Sequence, residues 1–285
     1  MNTGLPWMLV PSGTRIMDRE EKDAIMQAFG GRVSETIFEI PQGSHVFTRY
    51  RSIPFGFELE KEVSAHGSVL VNSYVQHRNI ANLFSWIDLL DGLTAPAWDI
   101  TMLPYLHEGE FFVKGETNSL KNNWFEKSYA PSKDDLLNVV RNVQNDMYVG
   151  EQEVVIRPFR KFRRIGEAVD HRPVFNEYRV FVLDGVIMSE AFYWSSWSVD
   201  FNVPEMINRD KFDKTLAEAI ERVKHLARFI VIDLAEFPDG SWEVVELNDG
   251  NMSGLSDNDP YQLWKNVYDH MSKLSQSSIR YLTLE

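Results

Sequence analysis

Three oxygen-bearing side chains stand in otherwise apolar sequence near the end of the chain. Asp233 lies in the run Phe229–Leu234, while Glu246 and Asn248 close a second run, Trp242–Leu247. A proline–aspartate–glycine turn separates the runs and predicts an antiparallel hairpin. Residues two apart on a strand point to the same side, so Glu246 and Asn248 should face the same way. Oxygen ligands with an open approach suit Mg²⁺ that also binds phosphates. Solvated acidic residues at a hairpin end are the simpler interpretation.

The order of these residues resembles the ATP-grasp superfamily of ATP-dependent carboxylate–amine ligases. That superfamily sets a carboxylate in one strand, then a turn, then Glu-x-Asn at the end of the next strand. The resemblance implies that all three side chains hold the Mg²⁺ ions that bridge the ATP phosphates. The loop 249–254 adds small residues and backbone N–H groups beside the hairpin, and Asn251 and Ser253 are its candidate substrate contacts.

Two cations are placed at strand positions that the same superfamily uses for phosphates. Lys114 ends the predicted strand Glu110–Lys114 and precedes a loop of small and polar residues, Gly115–Asn123. Arg179 lies in a hairpin predicted over Asn176–Ile187. The resemblance implies that both bind phosphates and that Arg179 stabilises the transferred phosphoryl group. A surface lysine and a structural salt bridge are the alternatives. No Walker A sequence occurs in the chain.

The strand predicted over residues 153–159 resembles the one that leads into the adenine-binding hinge of ATP-grasp proteins. The hinge candidates are Ile156, Arg157, Pro158 and Phe159. Arg157 stands where a hinge glutamate is usual, and two arginines and a lysine at such positions resemble a clade found in bacteria and phages. Arg78 stands near the start of a predicted helix, where these proteins often carry an ATP-phosphate lysine, so it is a candidate nucleotide contact.

Two further groups of cations are candidate contacts for an anionic acceptor. Five cations fall within eight residues of an otherwise acidic protein, namely Arg157, Arg160, Lys161, Arg163 and Arg164. They predict either a solvated hairpin or a site for an acidic peptide, a carboxylate metabolite or nucleic-acid phosphate, with Arg160 as a substrate contact. Arg49 and Arg51 end another predicted strand, where open α/β sheets bind ligands, although surface arginines are the simpler interpretation.

The predicted elements could bring these residues together. Strands and one helix alternate at the start of the chain, which predicts a small parallel sheet covered by helices. The strands are expected at Trp7–Pro11, Thr36–Ile40, Val46–Tyr50 and Ser68–Val71, and the helix from Asp18 to Gly30 with Glu21 completing a capping box. An amphipathic helix is predicted within 72–98. Further helices are expected after the caps Ser132, Asp210 and Asp259.

The pattern and the resemblance together predict a mixed α/β and α+β fold of the ATP-grasp type. An N-terminal α/β domain is expected over residues 1–75. A central α+β subdomain over 76–157 and a C-terminal α+β subdomain over 158–285, which carries the metal hairpin, would clamp the nucleotide between them.

The composition excludes several classes of function. With 44% hydrophobic and 13% aromatic residues the chain can form packed cores. Its net charge of −13 argues against general binding to nucleic acids or anionic membranes. The absence of cysteine excludes disulfides, zinc–thiolate sites and a thiol nucleophile, and fits a reducing cytoplasm. No run of about 20 apolar residues and no signal-peptide pattern occurs, so we expect a soluble, cytoplasmic protein.

The resemblance implies an ATP- and Mg²⁺-dependent ligase. A substrate carboxylate would attack the γ-phosphorus of ATP, and an amine, from a small molecule or a peptide, would open the acyl-phosphate to an amide. The alternatives are a kinase on the same fold, a nucleic-acid- or peptide-modifying protein that uses the 157–164 cluster, and an ATP-binding module without turnover. The carboxylate, the amine and the oligomeric state stay open.

Overall fold

The computed structural model describes residues 4–10, 19–49, 56–117, 119–120, 123–147, 149–168, 171–194 and 203–282. These residues form three main sheets and one two-stranded hairpin, with α-helices and short 3₁₀ helices around them. Within the described ranges, no helix combines the length and the apolar character that crossing a membrane requires.

The amino-terminal sheet is parallel, as predicted, with the strand order β2-β1-β3-β4. Its elements are β1 Pro6–Leu9, α1 Arg19–Ala28, β2 Val33–Ser34, β3 His45–Thr48, α2 Gly56–Ala65 and β4 Val69–Val71. The predicted strand over Thr36–Ile40 is wrong, since Ile37–Glu39 is a 3₁₀ helix. The Thr36 side chain accepts a hydrogen bond from the Phe38 N–H, and such local bonds compete with strand pairing.

Glu21, the predicted capping-box partner at the start of α1, contacts a residue far away in sequence. Its carboxylate is buried and accepts a hydrogen bond of 2.6 Å from Arg49. The predicted cap itself, Asp18, lies outside the described residues. The helix ends as expected at a pair of glycines, Gly30 and Gly31, whose positive φ angles suit glycine.

The predicted helix within 72–98 is wrong after its first two turns. α3 spans Tyr74–Ala81, and 3₁₀ helices follow at Leu83–Ser85, Ile87–Leu90 and Ile100–Tyr105. The helix stops at Asn82, whose backbone is extended and whose side chain accepts a hydrogen bond from the Phe84 N–H. The apolar positions are nevertheless buried or partly buried, and they pack mainly with the carboxyl-terminal sheet and α6.

The central sheet is antiparallel, with the order β6-β5-β7. Its elements are β5 Phe111–Gly115, α4 Trp124–Lys127, β6 Tyr129–Ala130, α5 Lys133–Gln144 and β7 Val154–Pro158. Ser132 caps α5 by accepting a hydrogen bond from the Asp135 N–H, as predicted. The predicted buried stripe of α5 covers the sheet, and its residues are Leu136, Val139, Val140 and Val143.

The carboxyl-terminal sheet is also antiparallel and has the order β11-β10-β12-β13. The elements of this part are β8 Arg164–Glu167, β9 Pro173–Phe175, β10 Glu177–Leu183, β11 Val186–Phe192, α6 Arg209–Val223, β12 Phe229–Glu236, β13 Trp242–Asp249 and α7 Pro260–Leu282. Both predicted hairpins are confirmed. The cap of α6 is Asn208, two residues before the predicted Asp210, whereas Asp259 caps α7 as predicted.

The two faces of this sheet bury different partners. Val180 and Ile232 pack on one face with α6 and the 3₁₀ segments after α3. Phe181 and Phe229 pack on the other face with α7 and the amino-terminal sheet. Arg179, Asp233 and Glu246 continue this second face toward the ends of the strands, as the two-residue period requires. The face is therefore apolar where α7 covers it and charged where it borders a cleft.

Candidate functional site

Three charged residues stand side by side on neighbouring strands at the floor of the cleft. Arg179 on β10 is paired in register with Asp233 on β12, and Asp233 is paired in register with Glu246 on β13. Arg179 donates two hydrogen bonds to the Asp233 carboxylate, 2.9 Å from Nε and 2.7 Å from Nη2. Burial, the largest single effect, acts to lower the pKa of Arg179. The charge and hydrogen bonds of Asp233 and the charges of Glu246 and Glu177 together outweigh burial, so the pKa is raised and the guanidinium stays charged.

Lys114 reaches the same floor from the opposite side of the cleft. It lies on β5 of the central sheet, its side chain is buried, and its Nζ donates a hydrogen bond to Glu246 Oε1. The charges alternate along Arg179, Asp233, Glu246 and Lys114, so each carboxylate has a cation beside it. The predicted cations and carboxylates thus meet at one place, although they come from two sheets.

The predicted metal ligands partly face an open cavity. Glu246 and Asn248 border it, whereas Asp233 is 1% exposed and has both oxygens bonded to Arg179. Among the described residues, no three histidine, cysteine or carboxylate side chains are grouped as a metal site. A carboxylate and an amide oxygen beside open space nevertheless fit Mg²⁺, which keeps several waters and takes one or two protein carboxylates together with phosphates. Metal binding stays a prediction.

An aromatic cavity lies on the central-sheet side of Lys114. Six aromatic side chains line it, namely Phe112, Trp124, Phe159, Phe162, Phe175 and Trp194. Three of the predicted hinge residues, Arg157, Pro158 and Phe159, border it as well. The fourth, Ile156, is buried in the core, and its N–H and C=O each bond to the Trp98 backbone at 2.8 Å. The Ile156 backbone is therefore already used, and this part of the hinge expectation is not supported.

Arg157 ties the central sheet to the carboxyl-terminal sheet. Its guanidinium is buried and donates hydrogen bonds to Val245 O at 2.7 Å, Thr94 Oγ1 at 2.7 Å and Ala95 O at 2.8 Å. Burial lowers its pKa to about 10, while the charges of Glu243 and Glu246 act in the opposite direction. Arg157 thus positions the two walls of the cleft, a role that its sequence pattern did not predict.

A second cavity, polar and about 420 Å³ in volume, lies on the other side of Glu246. His77 and Ala81, one turn apart on α3, form part of its wall. The neighbouring Arg78, a predicted nucleotide contact, is exposed and borders neither cavity. The expectation for Arg78 is therefore not supported. The sequence analysis missed His77, because a single histidine on an amphipathic helix carries no signal of its own.

The loop after β13 forms another part of this wall. Ser253 borders the polar cavity and donates a hydrogen bond to Asp249 O. Asn251 is 1% exposed and donates hydrogen bonds to Val71 O at 2.8 Å and to Asp249 Oδ1 at 3.0 Å. Arg49 is fully buried and donates to the loop carbonyl groups of Gly250 and Asn251. Arg49 and Asn251 therefore hold the loop in place through bonds within the protein. A direct contact of either residue with the substrate is not supported. Arg51 lies outside the described residues.

The cations that follow Arg157 do not converge on one site. Each has a carboxylate partner of its own, and the pairs are Arg160–Glu243, Lys161–Glu110, Arg163–Glu236 and Arg164–Glu167. This arrangement does not support the anion-site alternative, because local acids neutralise these cations. Arg160 alone borders the aromatic cavity.

A family profile of the ATP-grasp domain, family 3 of the clade with two arginines and a lysine, matches residues 102–267, which is more than half of the chain. The chain belongs to this ATP-grasp family. The profile covers the central sheet, the charged floor of the cleft and the first part of α7. Membership confirms the predicted superfamily, the predicted fold class and the predicted clade.

Solved structures of similar fold are ATP-dependent ligases. The D-cycloserine synthetase DcsG aligns over 93% of this ATP-grasp chain and 99% of its own, with a TM-score of 0.62 and 14% identity. The D-alanine–D-alanine ligase of Bacillus anthracis in complex with ATP aligns over 96% and 99%, with a TM-score of 0.58 and 12% identity. The ATP-grasp ligase PsnB, in complex with a precursor peptide and AMPPNP, aligns over 96% and 98%, with a TM-score of 0.58 and 12% identity. No protein of curated function matches the chain in sequence.

Proposed function

We propose that this ATP-grasp protein uses ATP and Mg²⁺ to activate a substrate carboxylate and joins it to an amine. The observation that carries the proposal is the continuity of the two cavities. Glu246 and Ser119 border both of them, so a single cleft runs from the aromatic cavity, past the charged floor, to the polar cavity. Such a cleft has one end for a nucleotide base, a centre for phosphates and another end for an acceptor.

The aromatic end suits the adenine ring. Flat aromatic faces bind a purine by burial and stacking, and the Phe159 and Trp194 side chains line this end together with Phe112. Pro158 and Phe159 are the hinge residues that remain as candidates for contact with adenine, because Ile156 is already engaged.

Lys114 and Arg179 are proposed to bind the phosphates. Each now donates to a carboxylate, and each would exchange that carboxylate for phosphate oxygens when ATP enters. The exchange would leave Glu246 and Asp233 available, with Asn248, to hold Mg²⁺. Bound there, Mg²⁺ would shield the negative charge of the β- and γ-phosphates and fix their orientation.

The proposed reaction needs no protein nucleophile. A carboxylate oxygen of the substrate attacks the γ-phosphorus in line, the bond to the β-phosphate oxygen breaks, and ADP leaves. Arg179 and Lys114 stabilise the charge on the transferred group and hold the acyl-phosphate for the amine. The ligases of similar fold support this reaction class, but at 10–14% identity they do not indicate which carboxylate or amine is used.

Calorimetric titration of ATP with Mg²⁺ tests the nucleotide site. We expect Mg²⁺-dependent binding by the wild type and its loss in a Glu246→Gln, Asn248→Ala double variant. The matched control is Glu126→Gln, Asn142→Ala, which makes the same changes at two exposed residues of the central subdomain. Binding equal in all three proteins would contradict the metal assignment, and a folded wild type without ATP binding would contradict the proposed function.

A screen of carboxylates and amines for ADP release then tests the reaction. Product that forms only when an amine is present supports the ligase. A phosphorylated product that forms without any amine would instead identify a kinase on the same fold. ATP binding without turnover of any pair in the screen would favour a binding module.

A further inference from the structure

One ring nitrogen of His77, at the acceptor end of the cleft, is buried and has no hydrogen-bond partner within the part of the chain that the structure describes. Its Nδ1 lies 2.9 Å from Asp249 Oδ2, and the imidazole is 2% exposed. Its Nε2 has no partner among the described residues, and the side chain borders the polar cavity. The Nδ1 bond alone joins α3 to β13, so Nε2 takes no part in that contact and lies in the side chain that borders the polar cavity.

The surroundings fix both the tautomer and the orientation of the ring. Asp249 Oδ1 already accepts hydrogen bonds from the N–H of Asn251 at 2.8 Å and from its Nδ2 at 3.0 Å. The other oxygen of this carboxylate contacts His77 Nδ1, and because a carboxylate only accepts, Nδ1 carries a proton and Nε2 is the second site of protonation on the ring. A capping box between Ser73 and Gln76 holds the first turn of α3, directly before His77.

The position of His77 relates it to the proposed chemistry. The same cavity is bordered by Arg179 and by Glu246, which are placed at the phosphates under the proposed function. The aromatic end lies on the far side of Glu246, so adenine and His77 would be at opposite ends of the cleft. An acceptor amine that reaches the acyl-phosphate through the polar cavity would therefore lie in the same cavity as His77.

We propose that His77 is the catalytic base for the acceptor amine, with Asp249 as its positioning residue. This inference rests on the proposed ligase function. The amine nitrogen forms a bond to the acyl carbon, the bond between that carbon and the phosphate oxygen breaks, and phosphate leaves with the electron pair. Nε2 takes one proton from the ammonium group before the attack, the second proton of the nitrogen leaves with the phosphate, and the Asp249 carboxylate stabilises the imidazolium. His77 takes no part in the earlier transfer of the phosphoryl group from ATP.

Hydroxylamine and amino acids, used as alternative nucleophiles, distinguish the formation of the acyl-phosphate from the attack of the amine on it. Hydroxylamine is a weak base that is largely uncharged at neutral pH, so it traps an acyl-phosphate as a hydroxamate without a general base. The standard amino acids serve both as the carboxylate panel and as the amine panel, because their ammonium groups must lose a proton. We expect His77→Ala to slow amide formation by about 10²- to 10⁴-fold, the usual contribution of a general base, and to leave hydroxamate formation unchanged.

Further variants distinguish a base from a structural residue. His77→Gln keeps a polar side chain that cannot take the proton, so we expect it to lose amide formation as His77→Ala does. Added imidazole should restore part of the activity of His77→Ala, which a structural role would not allow. The matched control is His171→Ala, at an exposed histidine that also contacts a carboxylate, Glu167, and it should behave as wild type.

The outcomes bear on different claims. Wild-type protein that forms no hydroxamate with any carboxylate contradicts the proposed function, and the inference falls with it. Hydroxamate from the wild type without amide from any amine supports activation of the carboxylate but contradicts an amine acceptor, so the inference fails while the activation step stands. Equal amide formation by wild type and a folded His77→Gln variant also overturns it. Loss of both products in His77→Ala and His77→Gln would make the residue a structural one.

Discussion

Lys114 and Glu246 form an ion pair across the cleft between the central and the carboxyl-terminal sheets. They are 132 residues apart in sequence, and their side chains are 5% and 18% exposed. Glu246 is in register with Asp233, which is itself bonded to Arg179. The pair therefore stands at one end of a line of alternating charges. In this line, Lys114 and Arg179, which are proposed to bind phosphates, are each bonded to a carboxylate of the protein.

Replacing Lys114 with methionine should abolish ATP-dependent turnover. The variant removes the cation on the central-sheet side of the phosphates and leaves Glu246 without that partner. Loss of one such electrostatic contact costs about 10²–10³ in rate, and we expect at least that decrease in ADP release. Lys127→Met is the control, because Lys127 forms a comparable pair with Asp146 outside both cavities. Equal rates in the two variants would remove Lys114 from the proposed site.

Replacing Arg179 with lysine should slow turnover while ATP still binds. Arg179 makes two parallel hydrogen bonds to Asp233, a geometry that a lysine ammonium cannot reproduce. We expect kcat to fall by about 10²-fold or more, since this contact is proposed to strengthen as charge develops on the transferred phosphoryl group. Calorimetry should give an ATP affinity close to that of wild type. A variant with unchanged kcat and weakened ATP binding would assign Arg179 to ground-state binding.

The turn between β10 and β11 provides a test of pH-dependent stability. Asp184 has a φ of 51°, and its carboxylate accepts hydrogen bonds of 2.7 Å from Nε and Nη2 of Arg228. Burial, the largest single effect, acts to raise its pKa, but the hydrogen bonds and charge of Arg228, together with the His270 contact, outweigh burial, so the pKa lies below 3.8. The carboxylate therefore stabilises the fold above its unfolded-state pKa, and this stability is lost as the pH falls through the folded-state value.

Asp184→Asn removes the charge without disturbing the turn, because asparagine also tolerates positive φ. We expect the free energy of unfolding to fall by about 1–3 kcal/mol at neutral pH, the range for a hydrogen bond to a charged group. Denaturant titrations should show this difference shrinking toward zero as the pH falls below about 3.8, the unfolded-state value. Asp88→Asn, at an exposed residue of the 3₁₀ helix Ile87–Leu90, should change little. A difference that did not depend on pH would point to the turn geometry instead of the ion pair.

The charged floor of the cleft could be predicted because each of its residues interrupts a regular apolar strand. Alternation places Arg179 on the same face as Phe181, and the turn residues determine which strands pair. The chain places a lysine at the end of one strand, an arginine in a later strand and the metal hairpin last. Only a few folds share this order. The short helix at Ile37–Glu39 and the break at Asn82 could not be predicted, since local side-chain bonds decide both against the apolar pattern.

The supporting residues of the site could not be predicted from spacing. His77 and Asp249 are 172 residues apart in sequence, and each alone resembles an ordinary polar residue at the end of an element. Arg49 was expected to contact a ligand because it ends a predicted strand, and Arg157 because its strand resembles the one that leads into the adenine-binding hinge of ATP-grasp proteins. Both are buried and bonded to backbone carbonyl groups, which depends on how separate sheets pack and leaves no trace in local sequence.

Gly250 should be required for the loop that carries Asn251 and Ser253. A Cβ added at Gly250 would lie 2.6–2.7 Å from the ring of Phe229, a fully buried residue that contacts both α7 and the amino-terminal sheet. Neither the ring nor the loop can move away freely, because Arg49 and the Phe229 C=O both hold the Gly250 backbone. We therefore expect Gly250→Ala to lower the free energy of unfolding by about 1–3 kcal/mol, the usual cost of overpacking.

Gly109→Ala is the matched control for this prediction. Its added Cβ would lie 4.0 Å from the Phe111 ring, which is an ordinary contact, so its stability should stay close to that of wild type. If Gly250→Ala also displaces the loop, Asp249 loses its bonds to Asn251, and the polar cavity changes shape beside His77. Amide formation should then fall more than ATP binding does. Unchanged stability in Gly250→Ala would mean that the Phe229 ring has room to turn, and that the loop is held less firmly than these contacts imply.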